Sequence, residues 1–291
     1  YEGLITDDEG DGDNVRGNTI GHNVRYHVML HPGTVDSIVT NNTLIPNADG
    51  KRNVIALHHG INSGTITQST AWPAPPTGFC YLFDTDHDVR IYSASNPTLT
   101  IASGSVVKAN GGSYIYVGYD NNSSTQQGGL NAAGVVFTST YDDTITDATG
   151  DGSATSPGPG NWAGLRFGIY ADDFFLVGEC RIRYGGREQQ AGVVLNSAAP
   201  HIENCRIEYS QYESIMTNAE GDGDNIRGNT FAFNSRYHVM LHPGTVDSIV
   251  SNNTFTPNAG SVRNVIALHQ GNNSGVITRS TTWPAPPSGF C

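Results

Sequence analysis

Residues 1–80 and 212–291 are one segment written twice: at a constant offset of 211, with no gap, 58 of 80 positions are identical. The run Tyr-His-Val-Met-Leu-His-Pro-Gly-Thr-Val-Asp-Ser-Ile-Val stands at 26–39 and again at 237–250, and Trp-Pro-Ala-Pro-Pro begins at Trp72 and at Trp283. Self-similarity at a fixed long period selects architectures in which each unit buries its faces against its neighbours. The chain opens at Tyr1, the counterpart of mid-unit Tyr212, and stops at Cys291, the twin of Cys80, so both ends read as cut from a longer array. On that reading residues 1–80 are the C-terminal portion of one 211-residue unit, residues 81–291 are one complete unit, and the two form a continuous solenoid.

A shorter register lies inside the long one. His27-Val28-Met29-Leu30-His31 aligns with Val54-Ile55-Ala56-Leu57-His58 at an offset of 27, and Asn18-Thr19-Ile20 aligns with Asn42-Thr43-Leu44 at 24. Cys180-Arg181-Ile182-Arg183-Tyr184 meets Cys205-Arg206-Ile207-Glu208-Tyr209 at 25, and Cys205 leads by 24 to Asn229-Thr230-Phe231. These short segments alternate apolar and other residues, are bounded by Gly, Asn, Asp and Pro, and sustain no helical period, so they read as strands. With side chains alternating, Cys180, Ile182 and Tyr184 share an inner face with Cys205, Ile207 and Tyr209, while Arg183 and Glu208 point outward together. Coils of roughly 22–28 residues stacking parallel strands describe a β-solenoid; about seven fill one unit. At ~4.8 Å per coil one unit advances on the order of 35 Å.

Leu99-Thr100-Ile101-Ala102-Ser103-Gly104-Ser105-Val106-Val107-Lys108, Val135-Val136-Phe137-Thr138-Ser139, Asn161-Trp162-Ala163-Gly164-Leu165, Asn204-Cys205-Arg206-Ile207 and Asn229-Thr230-Phe231 together resemble bacterial surface proteins of the right-handed parallel β-helix superfamily, with the pectate-lyase-like fold. The resemblance implies an all-β chain, a right-handed parallel β-helix of roughly ten coils with loop insertions. It leaves activity open, because that superfamily includes pectate lyases, phage tailspikes, adhesins and cell-surface repeat proteins.

Composition narrows the function. Of 15 basic residues only Lys51 and Lys108 are lysines, and the net charge is −12, which repels phosphate backbones and argues against nucleic acid as a partner. No run of eighteen apolar residues exists to span a membrane. The cysteines Cys80, Cys180, Cys205 and Cys291 follow no zinc spacing. Sequons beginning at Asn41, Asn121, Asn122, Asn252 and Asn272 suit a secreted protein, though a chain rich in Asn, Ser and Thr produces them by chance.

Each chemical candidate has a plain structural counterpart. Asn18 with Asn42, and Asn229 with Asn253, are set to stack as side-chain ladders. Glu9, Asp11 and Asp13, repeated as Glu220, Asp222 and Asp224, place oxygens at alternate residues like the first half of a calcium loop, without its closing bidentate Glu; solvated acidic turns are the alternative. His31 and His58, with Asp7, fall in one outward column, repeated as His242 and His269 with Asn218, and neighbouring imidazoles suit a transition metal or an acidic ligand, or merely end a strand. Cys180 and Cys205 fall on adjacent coils at a spacing a disulfide tolerates, or remain two buried thiols. Ile5, Met29 and Ala56, repeated as Met216, Met240 and Ala267, form an outward apolar stripe that something must cover: the segment at Trp72, the loop from Asp142 to Trp162, or another protomer. A cluster of Arg166, Asp172 and Asp173 is a weaker candidate.

The expectation is an extracellular structural protein, a β-helical rod contributing to a surface fibre, filament or sheath, associating with itself end to end or laterally, with no catalytic residue and no cofactor beyond possible calcium. One alternative is a polysaccharide lyase or hydrolase, which needs outward carboxylates beside Arg or Lys. The other is an adhesin binding cell-surface glycans, which needs Trp72, Trp162 and Trp283 to line a shallow cleft.

Overall fold

The computed structural model describes residues 2–49, 51–83, 86–120, 126–172, 176–188, 190–258 and 263–291. Strands meet in the registers that the duplication sets. Leu4 lies beside Val28, Val28 beside Ile55, Val54 beside Cys80, Arg181 beside Arg206, and Arg206 beside Thr230. Every ladder between these strands is parallel, as it must be when each coil repeats the direction of the last. Ten strands form the first sheet, from Leu4–Ile5 to Thr254–Thr256. Eight form the second, from Thr65–Ile66 to Ile266–Leu268, and six the third, from Thr70–Trp72 to Ile226–Arg227. Thr19–Gly21 and Thr43–Ile45 pair as a separate ribbon. The chain visits first, second and third sheet in turn, one coil per circuit. This is a right-handed β-solenoid of ten coils, as parallel crossovers favour.

Alternation sends one side chain in two to the interior, and the coil step puts like over like. Ile55, Tyr81, Val107, Phe137 and Ile182 form one such inward column and are buried. Each fully buried apolar side chain of this size contributes about 1.5–3 kcal/mol. The core is therefore a thin column along the axis, continuous through residues 80–83. Cys80–Phe83 pairs with Val54–Leu57 on one side and with Val106–Ala109 on the other, so no break marks the boundary between units.

The twin segments occupy different faces. Val28–Leu30 lies in the ten-stranded sheet, whereas Val239–Leu241 lies in the eight-stranded one, and Val54–Leu57 and Ile266–Leu268 divide the same way. Counting along the first sheet from Val28–Leu30, seven coils lead to Thr230–Ala232, and Val239–Leu241 is the next face along the chain. The unit thus winds seven coils and a third, one face more than the seven expected from spacing alone.

Two further features depart from the sequence reading. The segments 35–41 and 246–252 are α-helices, Val35–Asn41 and Val246–Asn252, each entered from a 3-10 turn at Pro32–Thr34 or Pro243–Thr245. Val35, Ile38 and Val39 are buried on one face, a helical spacing too short to register as a period. Tyr184 and Tyr209 also leave the interior. They adopt left-handed φ of 61° and 58° at the coil corner, as does Phe233 at 54°, and their rings stack outside the core at centroid distances of 5.4 and 5.2 Å.

Candidate functional site

The side chains singled out by sequence fall into ladders, locks and two outer surfaces. Asn18 N–H and its amide Nδ2 donate to Asn42 Oδ1, both at 3.0 Å, and Asn229 makes the same pair of bonds to Asn253 Oδ1 at 2.9 Å. The second ladder extends upward: Cys205 N–H donates to Asn229 Oδ1 at 2.8 Å, and Cys180 N–H to Cys205 Sγ at 3.3 Å. Cys205 therefore occupies a ladder position in which sulfur replaces an amide oxygen. Both cysteines are buried free thiols, and burial beside a second sulfur pushes the Cys205 thiol up.

Among the described residues neither the acidic turns nor the histidine column gathers three ligand atoms at one point. Asp11 Oδ2 accepts Asp7 and Asp8 N–H at 2.7 and 2.9 Å, and Glu9 Oε1 accepts Thr67 N–H at 2.6 Å. Asp222 likewise accepts Asn218, Ala219 and Ala198 N–H, Glu220 accepts Thr278 and Arg279 N–H, and Asp224 pairs with Arg279 at 2.8 Å. Asp13 is exposed and does not converge with Glu9 and Asp11. The oxygens close turns and tie one coil to another. The histidines are spent in the same way. His31 and His242 accept Gly33 and Gly244 N–H at Nδ1, with Nε2 2.7 Å from Asn62 and Asn273 Oδ1. His58 and His269 accept Gly60 and Gly271 N–H at Nδ1, with Nε2 on the carbonyls of Thr6 and Thr217 at 2.8 and 2.7 Å. Both ring nitrogens of these four histidines are thereby engaged in hydrogen bonds.

A pH dependence follows from these locks. Burial pulls His27, His31 and His238 below their ordinary value of 6.5, so the folded state holds them neutral while the unfolded chain takes up protons. Their stabilisation is complete above pH 6.5 and is lost as pH falls through the lowered folded values. Asp222, pushed up to about 6 by burial, acts in the opposite sense between about 6 and 3.8 and softens the loss. Chemical-denaturation midpoints should thus fall between pH 7.5 and 5.5, and a flat profile would contradict the assignment.

The first outer surface lies on the ten-stranded sheet beneath residues 140–162. The outward column here runs Ala56, Leu82, Lys108 and Thr138, continuing the register of Ile5 and Met29. The insertion covers part of this face, where Ala148 packs with Val54, Cys80 and Leu82 and Ala56 is buried, while Ile5 at one end is 51 % exposed and Met216, Met240 and Ala267 are partly buried. Further along, Arg183 meets Asp142 at 2.8 Å and Glu208 at 3.3 Å, and Arg181 and Arg206 close on Glu208 at 2.9 and 2.6 Å. Lys108 Nζ donates to the Asp142 carbonyl at 2.9 Å and lies 4.0 Å from Asp143. Burial pushes the Lys108 amine down. Burial also works to raise the Asp142 carboxyl, but hydrogen bonds from Thr138 and Thr144 and the charges of Arg183 and Lys108 hold it below the ordinary range. Lys108, Asp142 and Glu208 are all buried, so this outward column of acids and cations is saturated by itself. Sequence reading set Arg183 beside Glu208 but missed Asp142, which arrives from a loop. Asp143, Asp147 and Asp151 place carboxylate oxygens within 4.8 Å of one another at the root of that loop, the only such acidic group among the described residues. Asp147 spends both oxygens on Gly150 and Gly152 N–H.

The second surface lies on the eight-stranded sheet, where Arg90, Tyr116, Arg166, Val194, Met216, Met240 and Ala267 follow one another in register. Arg166 lies over Tyr114 at 4.4 Å, Tyr116 and Tyr119 meet edge to face at 5.7 Å, and Tyr92 stacks on Tyr119 at 5.0 Å. A cavity of about 370 Å³ opens among Arg90, Tyr114, Tyr116, Tyr119 and Asp120; a neighbouring one of about 280 Å³ adds Arg166, Asn196, Asn218 and Asn272. Trp72 and Trp162, expected to line a cleft, are buried anchors, their indole N–H donating to the Pro32 and Arg183 carbonyls. Asp172 bonds Asn96, and Asp173, like the sequons at Asn121 and Asn122, lies outside the described residues.

Parallel sheets wound continuously about a hydrophobic column, with asparagine ladders at the corners and a long insertion on an outer face, give the chain the right-handed parallel β-helix fold. In agreement, the family described as "Right handed beta helix region" matches residues 163–282. No curated protein and no solved structure matches the chain. Among the described residues no helix is long and apolar enough to cross a membrane.

Proposed function

We propose that this chain is part of an extracellular structural rod of tandem 211-residue units, without catalytic activity, continuing end to end as a surface fibre, filament or sheath. The observation that carries this is the unbroken winding across residues 80–83, where Cys80–Phe83 pairs with Val54–Leu57 of one unit's tail and, through Tyr81 and Leu82, with Val107 and Lys108 of the next unit. A repeat of sequence is thereby a repeat of structure, and stacking can continue indefinitely. Extracellular placement rests on the resemblance to surface proteins of this fold. The saturated, buried state of Lys108, Asp142 and Glu208 favours a structural role for the outward ionic column over acid–base chemistry.

Electron microscopy of the native material tests the rod. Since each unit turns by one face, the unit rise is on the order of 35 Å and the true axial repeat is three units, on the order of 105 Å at ~4.8 Å per coil. Globular particles, or units that superimpose without rotation, would overturn it.

The tyrosine groove favours a second reading, a rod that also holds glycans. Half-buried Tyr114, Tyr116 and Tyr119 offer ring faces, and Arg166, Asp120 and three asparagines offer donors and acceptors for hydroxyl groups. Binding of the chain to arrayed oligosaccharides should be lost in Tyr116→Ala; binding unaffected by that change would place any glycan elsewhere.

A further inference from the structure

We infer that the insertion at residues 142–152 is a clasp between successive units, and that the second copy carries the seat for the same insertion from another copy of the unit. This rests on the tandem reading above. The insertion belongs to the unit beginning at residue 81, yet besides Leu82, Lys108 and Arg183 of its own unit it binds residues of the unit before. Arg52 N–H donates to the Asp147 carbonyl at 3.2 Å and Arg52 Nε to the Thr149 carbonyl at 3.1 Å, while Lys51 Nζ reaches the Gly150 carbonyl at 3.3 Å. Ala148 is pressed onto Val54, Cys80 and Leu82, with Tyr26 at the edge. These are outward positions of the sheet, so without the insertion they would face water. Their burial is the insertion's doing.

The second copy presents the same seat open. Arg263 repeats Arg52: both have left-handed φ, 59° and 54°, and both donate from Nη1 to the carbonyl 28 residues earlier, Ser235 and Val24. Cys291 is held as Cys80 is, donating its N–H to the Asn264 carbonyl at 3.2 Å where Cys80 donates to Asn53 at 3.1 Å. Yet Cys80 is buried and Cys291 exposed, and Ala56 is buried where Ala267 is only partly so. One contact changes chemistry, since residue 262 is valine where the first copy has Lys51. Arg52, Val54 and Cys80 recur as Arg263, Val265 and Cys291, and the Leu82 position falls to the unit that follows. The occupant is therefore the unit's own insertion, and the seat lies on the eight-stranded sheet, one face round from its twin.

Cysteine reactivity reads the clasp separately from stacking. In the present chain Cys291 should alkylate rapidly and Cys80 should not, and Ala148→Asp should expose Cys80. In a chain extended after Cys291 by a second copy of residues 81–167, Trp283 should become inaccessible to a soluble quencher and Cys291 should alkylate about 100-fold more slowly, its reaction then waiting on local opening. Replacing the added insertion by a Gly-Ser linker should restore Cys291 reactivity while Trp283 stays shielded. Cys291 protected without the insertion, or reactive with it while Trp283 is shielded, overturns the clasp alone. Trp283 remaining open in every extended chain overturns the stacking of units, and the clasp with it.

Discussion

Replacing Trp72 by alanine should cost about 3–5 kcal/mol of stability, the range for deleting a large buried aromatic, whereas Trp283→Ala should cost only about 1 kcal/mol, the worth of one hydrogen bond. The two indoles sit in the same sequence and make the same bond, Trp72 to the Pro32 carbonyl at 2.9 Å and Trp283 to the Pro243 carbonyl at 3.1 Å. They differ in what lies above them. Trp72 is 0 % exposed, with Tyr81 and Phe83 rings at 5.3 and 6.2 Å and Ile101 paired to it in the next coil; Trp283 is 51 % exposed. Urea unfolding of the two variants side by side checks this, with circular dichroism as readout. Equal losses would mean that the coils after residue 80 do not seal the first copy.

The second large effect is expected at Glu208. It is 1 % exposed, accepts hydrogen bonds from Arg181 and Arg206 and lies 3.3 Å from Arg183 Nε, with Arg183 shared by Asp142. Glu208→Ala removes the anion that pairs with Arg181 and Arg206 and leaves Arg183 half-paired in a buried setting, a change that costs about 3–5 kcal/mol. Glu208→Gln retains an acceptor oxygen and should cost less. The loss should be nearly independent of salt, because a buried pair is little screened. By contrast, the more open pair of Arg227 and Glu203, at 2.6 Å but with Arg227 59 % exposed, contributes about 0–1 kcal/mol. Thermal unfolding of the three variants at low and high salt separates the cases. A Glu208→Ala loss no larger than that of Glu203→Ala would remove the buried ionic cluster from the account of stability.

Much of this was readable from residues because stacking makes like meet like. Arg183 beside Glu208, Asn229 beside Asn253 and Met216 beside Met240 all follow from coil offsets, and the coil itself is a local pattern repeated. The histidines show where such reading stops. Spacing aligned His31 with His58, but not their ring nitrogens, whose bonds to Gly33, Asn62, Gly60 and Thr6 come from turns and coils distant in sequence. The acidic turns differ from the spacing-based picture for the same reason: alternate spacing supplies oxygens, and backbone amides of the turn bond to them. Asp142 could not be placed beside Arg183, 41 residues on, because a loop of irregular conformation carries it there.

By itself the sequence determined the coil, its approximate length and the partners of the strands whose patterns recur, Val28 with Ile55, Arg181 with Arg206 and Arg206 with Thr230, because these depend on short patterns that neighbouring coils repeat. Tertiary structure alone decided which face each copy lies on and which outward residues are covered. The face depends on the winding accumulated over a whole unit, and a third of a coil is invisible in any local register. Cover depends on neighbours from other coils: Asn18 is exposed where Asn229 is buried, Trp72 buried where Trp283 is open, Cys80 sealed where Cys291 is free. The residues are identical in each pair, and burial belongs to what is stacked upon them.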